Sequence, residues 1–277
     1  MIGRGHHGYG LRVPHYAELL ERGSRAGFVE VVSENFIGRG GRARAVLERV
    51  RKDARVALHG VSLSLGGVDP LNEDYLRGLH SLRREIDACW ISDHLSFGTV
   101  GGHYAHDLWP IPRTEEALGH VVERVRRVQD RLGERLLIEN VSTYVELREN
   151  ALGEAEFLAA VAERSDCAIL LDVNNVLVNA KNHGGAPIDF LAPLPKDRIW
   201  QLHLAGHSDH GTHALDDHGS AAPAEVMDLY REVVRRFGPI PTSVEWDDNV
   251  PSLAELEAEV ERAALAEAEV LDEPRAA

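Results

Sequence analysis

Eight short apolar runs alternate along the chain with segments whose apolar residues recur every three or four positions. Strands and helices that alternate in this way are typical of βα units around a parallel sheet. Within residues 114–133, for example, Leu118, Val122 and Val125 share one helix face. The length of 277 residues suits one such barrel. We therefore predict an α/β fold, a single (β/α)8 (TIM) barrel domain over residues 1–277.

The limits of the predicted elements follow from the ends of these runs and of the periodic segments between them. The predicted strands are residues 10–13, 28–34, 56–61, 89–95, 135–140, 168–173, 199–204 and 242–246. The predicted helices are residues 15–25, 41–53, 72–86, 114–133, 153–165, 223–238 and 252–270, with a short piece near 189–194.

Six of the apolar runs end in a side chain that can bind a metal ion. A single histidine or carboxylate at a strand end is more often a structural group than a ligand. In a parallel barrel, however, the carboxyl ends of all strands converge on one mouth, so several such residues predict a polynuclear metal site. Imidazole and carboxylate without thiolate suit iron, manganese or zinc in a hydrolytic or oxidative role. The six residues are His59, His94, Glu139, Asp172, His203 and Glu245.

Three long segments follow predicted strands, and we predict that they form irregular loops on the same rim: residues 96–112, 174–187 and 205–222. The third segment is rich in histidine. Its Asp216 and His218 have the i,i+2 spacing that points two side chains to one side of an extended chain. We interpret them as a ligand pair. The alternative is a His-rich tract that binds metals loosely without catalytic meaning.

Two asparagines follow Asp172 closely. We interpret Asn174 and Asn175 as hydrogen-bonding side chains on alternating faces of the chain as the strand leaves the barrel. The alternative for the asparagines is that they cap the next segment.

Charge and cysteine content limit the partners and the compartment. A net charge of −15 and a pI near 5.4 disfavour a nucleic acid as the main partner, because phosphates require a basic face. Cys89 and Cys167 lie beside or within apolar runs, so we expect free thiols and a cytosolic protein. The chain starts without a signal-peptide pattern and has no stretch of about 20 apolar residues. We expect a soluble, cytoplasmic protein without a membrane partner.

Seven motifs occur in order across nearly the whole chain: ALHGVSLSLGG, SDHLSF, IENVSTY, LDVNNVLVNAKNHG, HLAGH, DDHG and VEWDDNVP. With these motifs the chain resembles the multinuclear non-heme iron-dependent oxidative enzymes. That family includes the methanobactin-biosynthesis oxidase and the enzymes that modify bufferin-type copper-binding peptides. The resemblance implies a (β/α)8 barrel, of the type seen in xylose isomerase. It also implies two or three irons, in mixed Fe(II) and Fe(III) states, that use dioxygen to oxidise cysteine residues of a ribosomally made precursor peptide. A separate partner protein would capture the leader segment of that peptide.

The resemblance assigns the metal-capable residues to separate irons. His59 and His94 match the histidines of a first iron, and Glu139 matches the carboxylate that bridges it to a second. The remaining ligands of the second iron are Asp172, His203 and Glu245.

A third, less tightly held iron would take Asp216 and His218. Some polar residues nearby would add a metal contact or support the ligands through hydrogen bonds. They are Asn140, Asn175, His183 and His207.

The chain departs from commoner members of that family in the segment after His94. Arg113 stands where an aromatic residue is frequent, and GGHYAHDL introduces His103 and His106. All three positions are predicted to lie on the rim and outside the ligand set. We therefore expect them to contact the peptide substrate and not the metals. The alternative for Arg113 is an ion pair with Glu115 or Glu116 at the start of the next helix.

A competing interpretation is a divalent-metal sugar isomerase or phosphodiesterase of the xylose-isomerase or endonuclease-IV type. Barrels of that type also gather His, Asp and Glu at their strand ends. The acidic charge disfavours the DNA-directed version. A barrel that only buffers metal would bind ions without turnover. Metal analysis separates these cases, since iron with visible absorption supports oxidation and colourless zinc or manganese supports the rival.

Overall fold

The structure, a computed structural model, describes residues 6–273, and in this part of the chain eight parallel strands close into a barrel. Each barrel strand pairs in parallel with both of its neighbours, which confirms the predicted fold. The strands, including four that form hairpins outside the barrel, are β1 (His7–Gly10), β2 (Phe28–Val32), β3 (Arg55–Gly60), β4 (Ile91–His94), β5 (Phe97–Val100), β6 (His103–Trp109), β7 (Leu136–Glu139), β8 (Ala168–Asp172), β9 (Ile199–Leu204), β10 (Ser208–Asp209), β11 (Ala214–Leu215) and β12 (Thr242–Val244). Around the barrel the order is β1, β2, β3, β4, β7, β8, β9 and β12.

Helices cover the outside of the barrel. The longer ones are amphipathic and begin or end at residues that satisfy their free backbone groups. In α4, for instance, the Thr114 side chain accepts a hydrogen bond from the backbone N–H of Ala117, and Gly133 ends the helix with φ at 73°. Between residues 6 and 273 the helices are α1 (Tyr16–Arg22), α2 (Gly41–Val50), α3 (Glu73–Ile86), α4 (Glu115–Leu132), α5 (Glu154–Ser165), α6 (Val173–His183), α7 (Pro187–Phe190), α8 (Ala224–Phe237) and α9 (Leu253–Asp272).

The first strand lies earlier than predicted, at His7–Gly10 instead of residues 10–13. The apolar run at 10–13 is misleading because Val13–His15 form a short 3-10 helix that contains Pro14. The true strand has little apolar character. It contains Gly8, where a Cβ atom would collide with the carbonyl oxygen of Phe28 on β2. Close packing therefore selects glycine there, and hydrophobic periodicity does not reveal the strand.

The segment predicted as an irregular loop at 174–187 is mostly helical, so that prediction is wrong. Strand β8 passes directly into α6, and Asp172 caps this helix by accepting a hydrogen bond from the backbone N–H of Asn175 at 2.6 Å. Asn174 and Asn175 therefore lie in the first helical turn and not on alternating faces of an extended chain. Asp172 is fixed in place by the start of the helix that follows it.

The other two rim segments form antiparallel hairpins. Strands β5 and β6 pair in the segment after β4, and β10 and β11 pair in the segment after β9. Strand β6 is exposed along nearly its whole length. Both hairpins follow the carboxyl ends of barrel strands, so they flank the mouth of the barrel.

None of the helices between residues 6 and 273 has the length and apolar character that crossing a membrane requires. Cys89 and Cys167 are both free thiols, as predicted, although Cys89 is only half-buried.

Candidate metal centre

Six metal-capable side chains converge at the carboxyl ends of the barrel strands, and all six are buried. Their ligand atoms form two groups, each with its atoms within 4.8 Å of one another. One group contains His59 of β3, His94 of β4 and Glu139 of β7. The other group contains Glu139 again, with Asp172 of β8, His203 of β9 and Glu245, which follows β12.

Glu139 belongs to both groups, and its two oxygens face different partners. Oε2 lies 3.4 Å from Nε2 of His59 and 3.3 Å from Nε2 of His94. Oε1 lies 3.1 Å from Nδ1 of His203. Two ligand atoms that each lie about 2.1 Å from one ion, at tetrahedral or octahedral angles, are roughly 3.0–3.4 Å apart. The spacing around Glu139 therefore has room for one cation on each side.

Hydrogen bonds at Nδ1 fix the orientation of the His59 and His94 rings. Nδ1 of His59 lies 2.8 Å from Oγ of Ser92, which itself donates to a backbone carbonyl, and Nδ1 of His94 lies 3.1 Å from the carbonyl oxygen of Gly60. When these Nδ1 atoms donate hydrogen bonds, the lone pairs of both Nε2 atoms point toward Glu139. Both rings are thus arranged to offer Nε2 to a cation.

The second group is held together by His203. Its Nδ1 lies 3.1 Å from Oε2 of Glu245 and 4.0 Å from Oδ2 of Asp172. Its Nε2, on the opposite edge of the ring, lies 2.6 Å from Oε1 of Glu30. The histidine therefore presents Nδ1 to the carboxylates of the site.

The electrostatics of the buried carboxylates depend on positive charge at the site. Burial raises the pKa of Glu139, but His203, His94 and His59 reverse this and lower it to about 2. Burial lowers the pKa of His203, but Glu245, Glu30 and Glu139 raise it well above its ordinary value. In the metal-free protein, protonated His203 thus supplies positive charge beside the carboxylates.

Asp172 behaves differently from Glu139. Burial raises its pKa well above the ordinary range; His218 opposes the rise and Glu139 adds to it. Oε2 of Glu139 and Oδ2 of Asp172 are both buried without a hydrogen-bond partner among the described residues. Buried polar atoms of this kind call for a partner such as an ion, because leaving them unpaired is costly. The residues present therefore fit a bound cation.

Asp216 and His218 lie at the edge of this cluster and contact each other, with Nε2 of His218 2.7 Å from Oδ1 of Asp216. Nε2 also lies 3.9 Å from Oδ2 of Asp172, and Nδ1 lies 3.4 Å from Oε2 of Glu245. His218 adopts a positive φ of 45°, a conformation that is uncommon outside glycine. The structure thus places this pair beside the second group, although neither residue belongs to the two groups of mutually close ligand atoms.

Asn140 and Asn175 support Asp172. The Asn140 amide donates to the backbone carbonyl of Asp172 and accepts from its backbone N–H, both at 2.9 Å. The Asn175 side chain donates to the carbonyl oxygen of Asn140 at 3.1 Å. Its Oδ1 is buried without a hydrogen-bond partner among the described residues. These amides hold the end of β8 against the end of β7.

His183 and His207 lie apart from the two groups. Nε2 of His183 is 2.8 Å from Oγ1 of Thr143, in the loop after β7. His207 contacts Asn174 through Nδ1 at 2.8 Å and Lys181 through Nε2 at 3.0 Å. The structure does not bring either histidine into contact with the candidate ligands.

The three predicted substrate residues differ in accessibility. His103 and His106 are exposed on β6, with the His106 ring against Tyr104. The Arg113 side chain is only 13% exposed, and it bonds to Glu146 at 3.0 Å and to the carbonyl oxygen of Leu152 at 3.1 Å. These partners lie in the segment between β7 and α5, and they are not Glu115 or Glu116. Arg113 therefore ties two rim segments together, which disfavours a role in binding the peptide.

Sequence reasoning missed several residues that shape the site. Glu30 lies in the middle of β2 and contacts His203, and Gln201 on β9 contacts Glu30. Arg12 pairs with Asp247, whose Oδ2 lies 3.6 Å from Nδ1 of His218. A signal for Glu30 does exist in the sequence, since it is the one charged residue of the otherwise apolar strand FVEVV.

The family model described as "RiPP precursor modification enzyme MbnB/TglH/ChrH" matches residues 6–268 of this chain. The chain belongs to this family. The resemblance inferred from the seven motifs is thereby confirmed, and membership together with the fold indicates an enzyme. RiPP stands for a ribosomally synthesised and post-translationally modified peptide.

Curated relatives within this family cover almost the whole chain. A UPF0276 protein of Anaeromyxobacter sp. (strain Fw109-5) is 58% identical over 265 residues, which span 96% of this chain and 94% of the relative. A UPF0276 protein of Acaryochloris marina is 46% identical over 256 residues and covers 92% of each chain. The family fold is therefore shared over nearly its full length.

Solved structures with the same architecture are much more distant in sequence. A D-psicose 3-epimerase from Clostridium cellulolyticum is 12% identical, with a TM-score of 0.59 over 96% of both chains. Endonuclease IV from Thermus thermophilus is 14% identical, with a TM-score of 0.57 over 95% of this chain and 98% of the other. Likeness at this level of identity confirms the barrel fold and nothing about the reaction.

Proposed function

We propose that this protein is a multinuclear non-heme iron enzyme that uses dioxygen to oxidise cysteine residues of a ribosomally synthesised precursor peptide. The observation that carries the proposal is the position of Glu139 between two groups of buried metal-capable atoms. A carboxylate with one oxygen toward each group suits a centre of two neighbouring cations. Membership in the RiPP-modifying family supports a peptide as the substrate.

In this proposal the protein ligands are distributed among the irons as follows. His59 and His94 hold one iron, and Glu139 bridges it to the next. The further ligands of the second iron are Asp172, His203 and Glu245. Asp216 and His218, which contact each other at 2.7 Å, would hold a third iron at the edge of the cluster.

Iron ions with open positions would bind a substrate thiolate and pass electrons from the cysteine, which is oxidised, to dioxygen, which is reduced. The histidine ligands are oriented by hydrogen bonds to other residues of the chain. Ser92, Gly60 and Glu30 each fix one histidine ring. The six ligands of the first two irons are buried, which would limit the access of bulk water to a thiol bound there.

Access to this site is through the rim. The hairpin of β5 and β6 and the segment after β9 flank the mouth, and β6 is exposed. We propose that the peptide reaches the buried ligands from that side. The net charge of −15 favours a neutral or basic peptide, and we propose that a leader-binding partner protein delivers it.

The test starts from protein purified without added metal. Elemental analysis and Mössbauer spectroscopy should find two or three irons per chain, some of them magnetically coupled. Incubation with dioxygen and a cysteine-containing precursor peptide, with and without its leader-binding partner, should change the peptide mass at cysteine. Colourless protein with zinc or manganese that isomerises sugars or cleaves phosphodiesters would instead support the divalent-metal alternative. Iron without any change of the peptide would contradict the proposed reaction.

A further inference from the structure

A chain of hydrogen bonds reaches His203 from the side opposite the candidate metals. The indole N–H of Trp90, just before β4, donates to Oε1 of Gln201. Nε2 of Gln201 donates to Oε2 of Glu30. Nε2 of His203 lies 2.6 Å from Oε1 of Glu30 and 3.1 Å from Nε2 of Gln201. Glu30, Gln201 and His203 are all buried, with exposed fractions of 2%, 0% and 0%.

The direction of each bond in this chain is determined by its chemistry. An indole N–H can only donate, so it faces the carbonyl end of the Gln201 amide and leaves the NH2 end for Glu30. Nε2 of His203 has two neighbours, and only the nearer one, the carboxylate oxygen of Glu30, is a hydrogen-bond acceptor. The amide NH2 of Gln201 is itself a donor, so the hydrogen on Nε2 of His203 points to Glu30. In the metal-free protein the protonated ring also carries a hydrogen on its other nitrogen. If a bound cation displaced that hydrogen, Nε2 would keep its own and the lone pair offered to the cation would lie on Nδ1. That atom is the one that faces Glu139 and Glu245, both at 3.1 Å.

Glu30 itself does not reach the candidate metals. Both of its oxygens are occupied, and it belongs to neither group of mutually close ligand atoms. It can therefore act on a metal only through His203.

In the two groups of mutually close ligand atoms, the other histidines are His59 and His94. Their Nδ1 atoms contact uncharged partners, the hydroxyl of Ser92 and the carbonyl of Gly60. Within the two groups of mutually close ligand atoms, His203 is the one histidine whose far nitrogen contacts a carboxylate.

We propose that Glu30 is a positioning residue for His203, an inference that rests on the proposed metal function. Gln201 and Trp90 fix the direction of the hydrogen bonds. The carboxylate holds the imidazole with Nδ1 toward the metals and makes that nitrogen a stronger donor. Removal of a carboxylate that supports a metal-bound histidine in this way typically weakens metal binding about 10–100-fold.

The test is the substitution Glu30→Gln, which keeps size and removes the charge. Metal-free wild-type and variant proteins are titrated anaerobically with Co²⁺ in competition with a chelator. One site should bind about 10–100-fold more weakly in the variant. Glu267→Gln is the matched control, because Glu267 is also buried but lies on α9, outside the two metal-capable groups. It should bind Co²⁺ as the wild type does.

A second measurement separates positioning from a general loss of structure. In the Co²⁺ protein, each coordinated imidazole gives a paramagnetically shifted, exchangeable N–H proton signal, which histidine labelling and His203→Ala assign. Glu30→Gln should move the His203 signal, speed its exchange with solvent, and leave those of His59 and His94 in place. Gln201→Leu, which removes a donor to Glu30 without altering Glu30 itself, should shift the same signal by less.

Glu30→Gln or Gln201→Leu protein that folds, binds Co²⁺ with wild-type affinity and keeps the wild-type His203 signal would overturn the positioning role and leave the proposed reaction untouched. Wild-type protein that binds no Co²⁺ would overturn both. Peptide oxidation plays no part in this measurement, so an inactive but metal-loaded wild type would count against the proposed reaction alone.

Discussion

Glu139 lies between His59 and His203, with Oε2 3.4 Å from Nε2 of the first and Oε1 3.1 Å from Nδ1 of the second. The barrel brings about this arrangement because β7 stands between β4 and β8, so its last residue reaches both halves of the cluster. One carboxylate can share its two oxygens between two cations, whereas a neutral imidazole offers one lone pair. The bridging position is therefore suited to a carboxylate and not to a histidine.

Glu139→Gln should preserve the fold and lose the bridge, because an amide does not offer two anionic oxygens. Iron per chain should fall by at least one, and the magnetically coupled signal in Mössbauer spectra should disappear. Glu267→Gln serves as the control for removing a buried carboxyl group away from the site. Unchanged iron content together with an intact coupled spectrum would exclude the bridging role.

His59→Ala and His94→Ala should each empty the same iron. Their Nε2 atoms lie 3.4 Å and 3.3 Å from the same oxygen of Glu139, so either loss removes a ligand from one shared position. His203→Ala should affect a different iron. The check is the Mössbauer spectrum of each ⁵⁷Fe-loaded variant, and two different missing components for His59→Ala and His94→Ala would show that the pairing is wrong.

The strands that end in ligands could be predicted because a buried apolar run followed by a polar residue is visible in the sequence. Strand β1 could not, because close contact with β2 selects glycine at position 8 and no apolar run marks it. Helix α6 was missed because it starts in the polar residues directly after β8, without a loop. Asp172 followed by Val173, Val176 and Leu177 does have the spacing of a capped helix, and this signal was available.

Glu30 illustrates what a single sequence does not contain. It contacts His203, which is 173 positions away along the chain, and only closure of the barrel brings the two together. A charged residue within a buried strand indicates that some partner exists, since an unpaired buried charge is costly. The identity of that partner depends on the register of β2 against its neighbours, which the sequence alone does not determine.

Asp172 has two roles that different substitutions should separate. It caps α6, and its other oxygen, Oδ2, is buried without a hydrogen-bond partner among the described residues. Asparagine caps helices about as well as aspartate, whereas alanine at a cap costs about 0.5–2 kcal/mol. Asp172→Asn should therefore lose iron while the metal-free protein keeps its stability, and Asp172→Ala should lose both.

Urea unfolding of the two metal-free variants, together with iron analysis, provides the comparison. Equal stability of Asp172→Asn and Asp172→Ala would show that the cap contributes little. Full iron occupancy in Asp172→Asn would contradict the ligand role.

Arg113→Ala should destabilise the protein and leave bound iron unchanged. The guanidinium bonds to Glu146 and to the carbonyl oxygen of Leu152, and its side chain is only 13% exposed. Hydrogen bonds with a charged partner contribute about 1.5–3 kcal/mol. The free energy of unfolding, measured in urea, should fall by this amount. Arg135→Ala is the control, because Arg135 forms an exposed pair with Asp166 for which about 0–1 kcal/mol is expected. Wild-type stability combined with weaker peptide binding would restore Arg113 as a substrate contact.

Glu154, at the start of α5, should make stability depend on pH away from the metal site. Burial raises its pKa from 4.5 to about 7, with Arg113 opposing the rise. The folded state therefore keeps the proton to a higher pH than the unfolded state does. This contribution to stability is fully present below about pH 4.5 and is lost as the pH rises through 7. Glu154→Gln cannot ionise, so relative to the wild type it should gain stability between pH 5 and 8, by roughly 1–3 kcal/mol. Urea unfolding of both metal-free proteins across this range gives the difference, and parallel curves would show that Glu154 ionises normally in the folded protein.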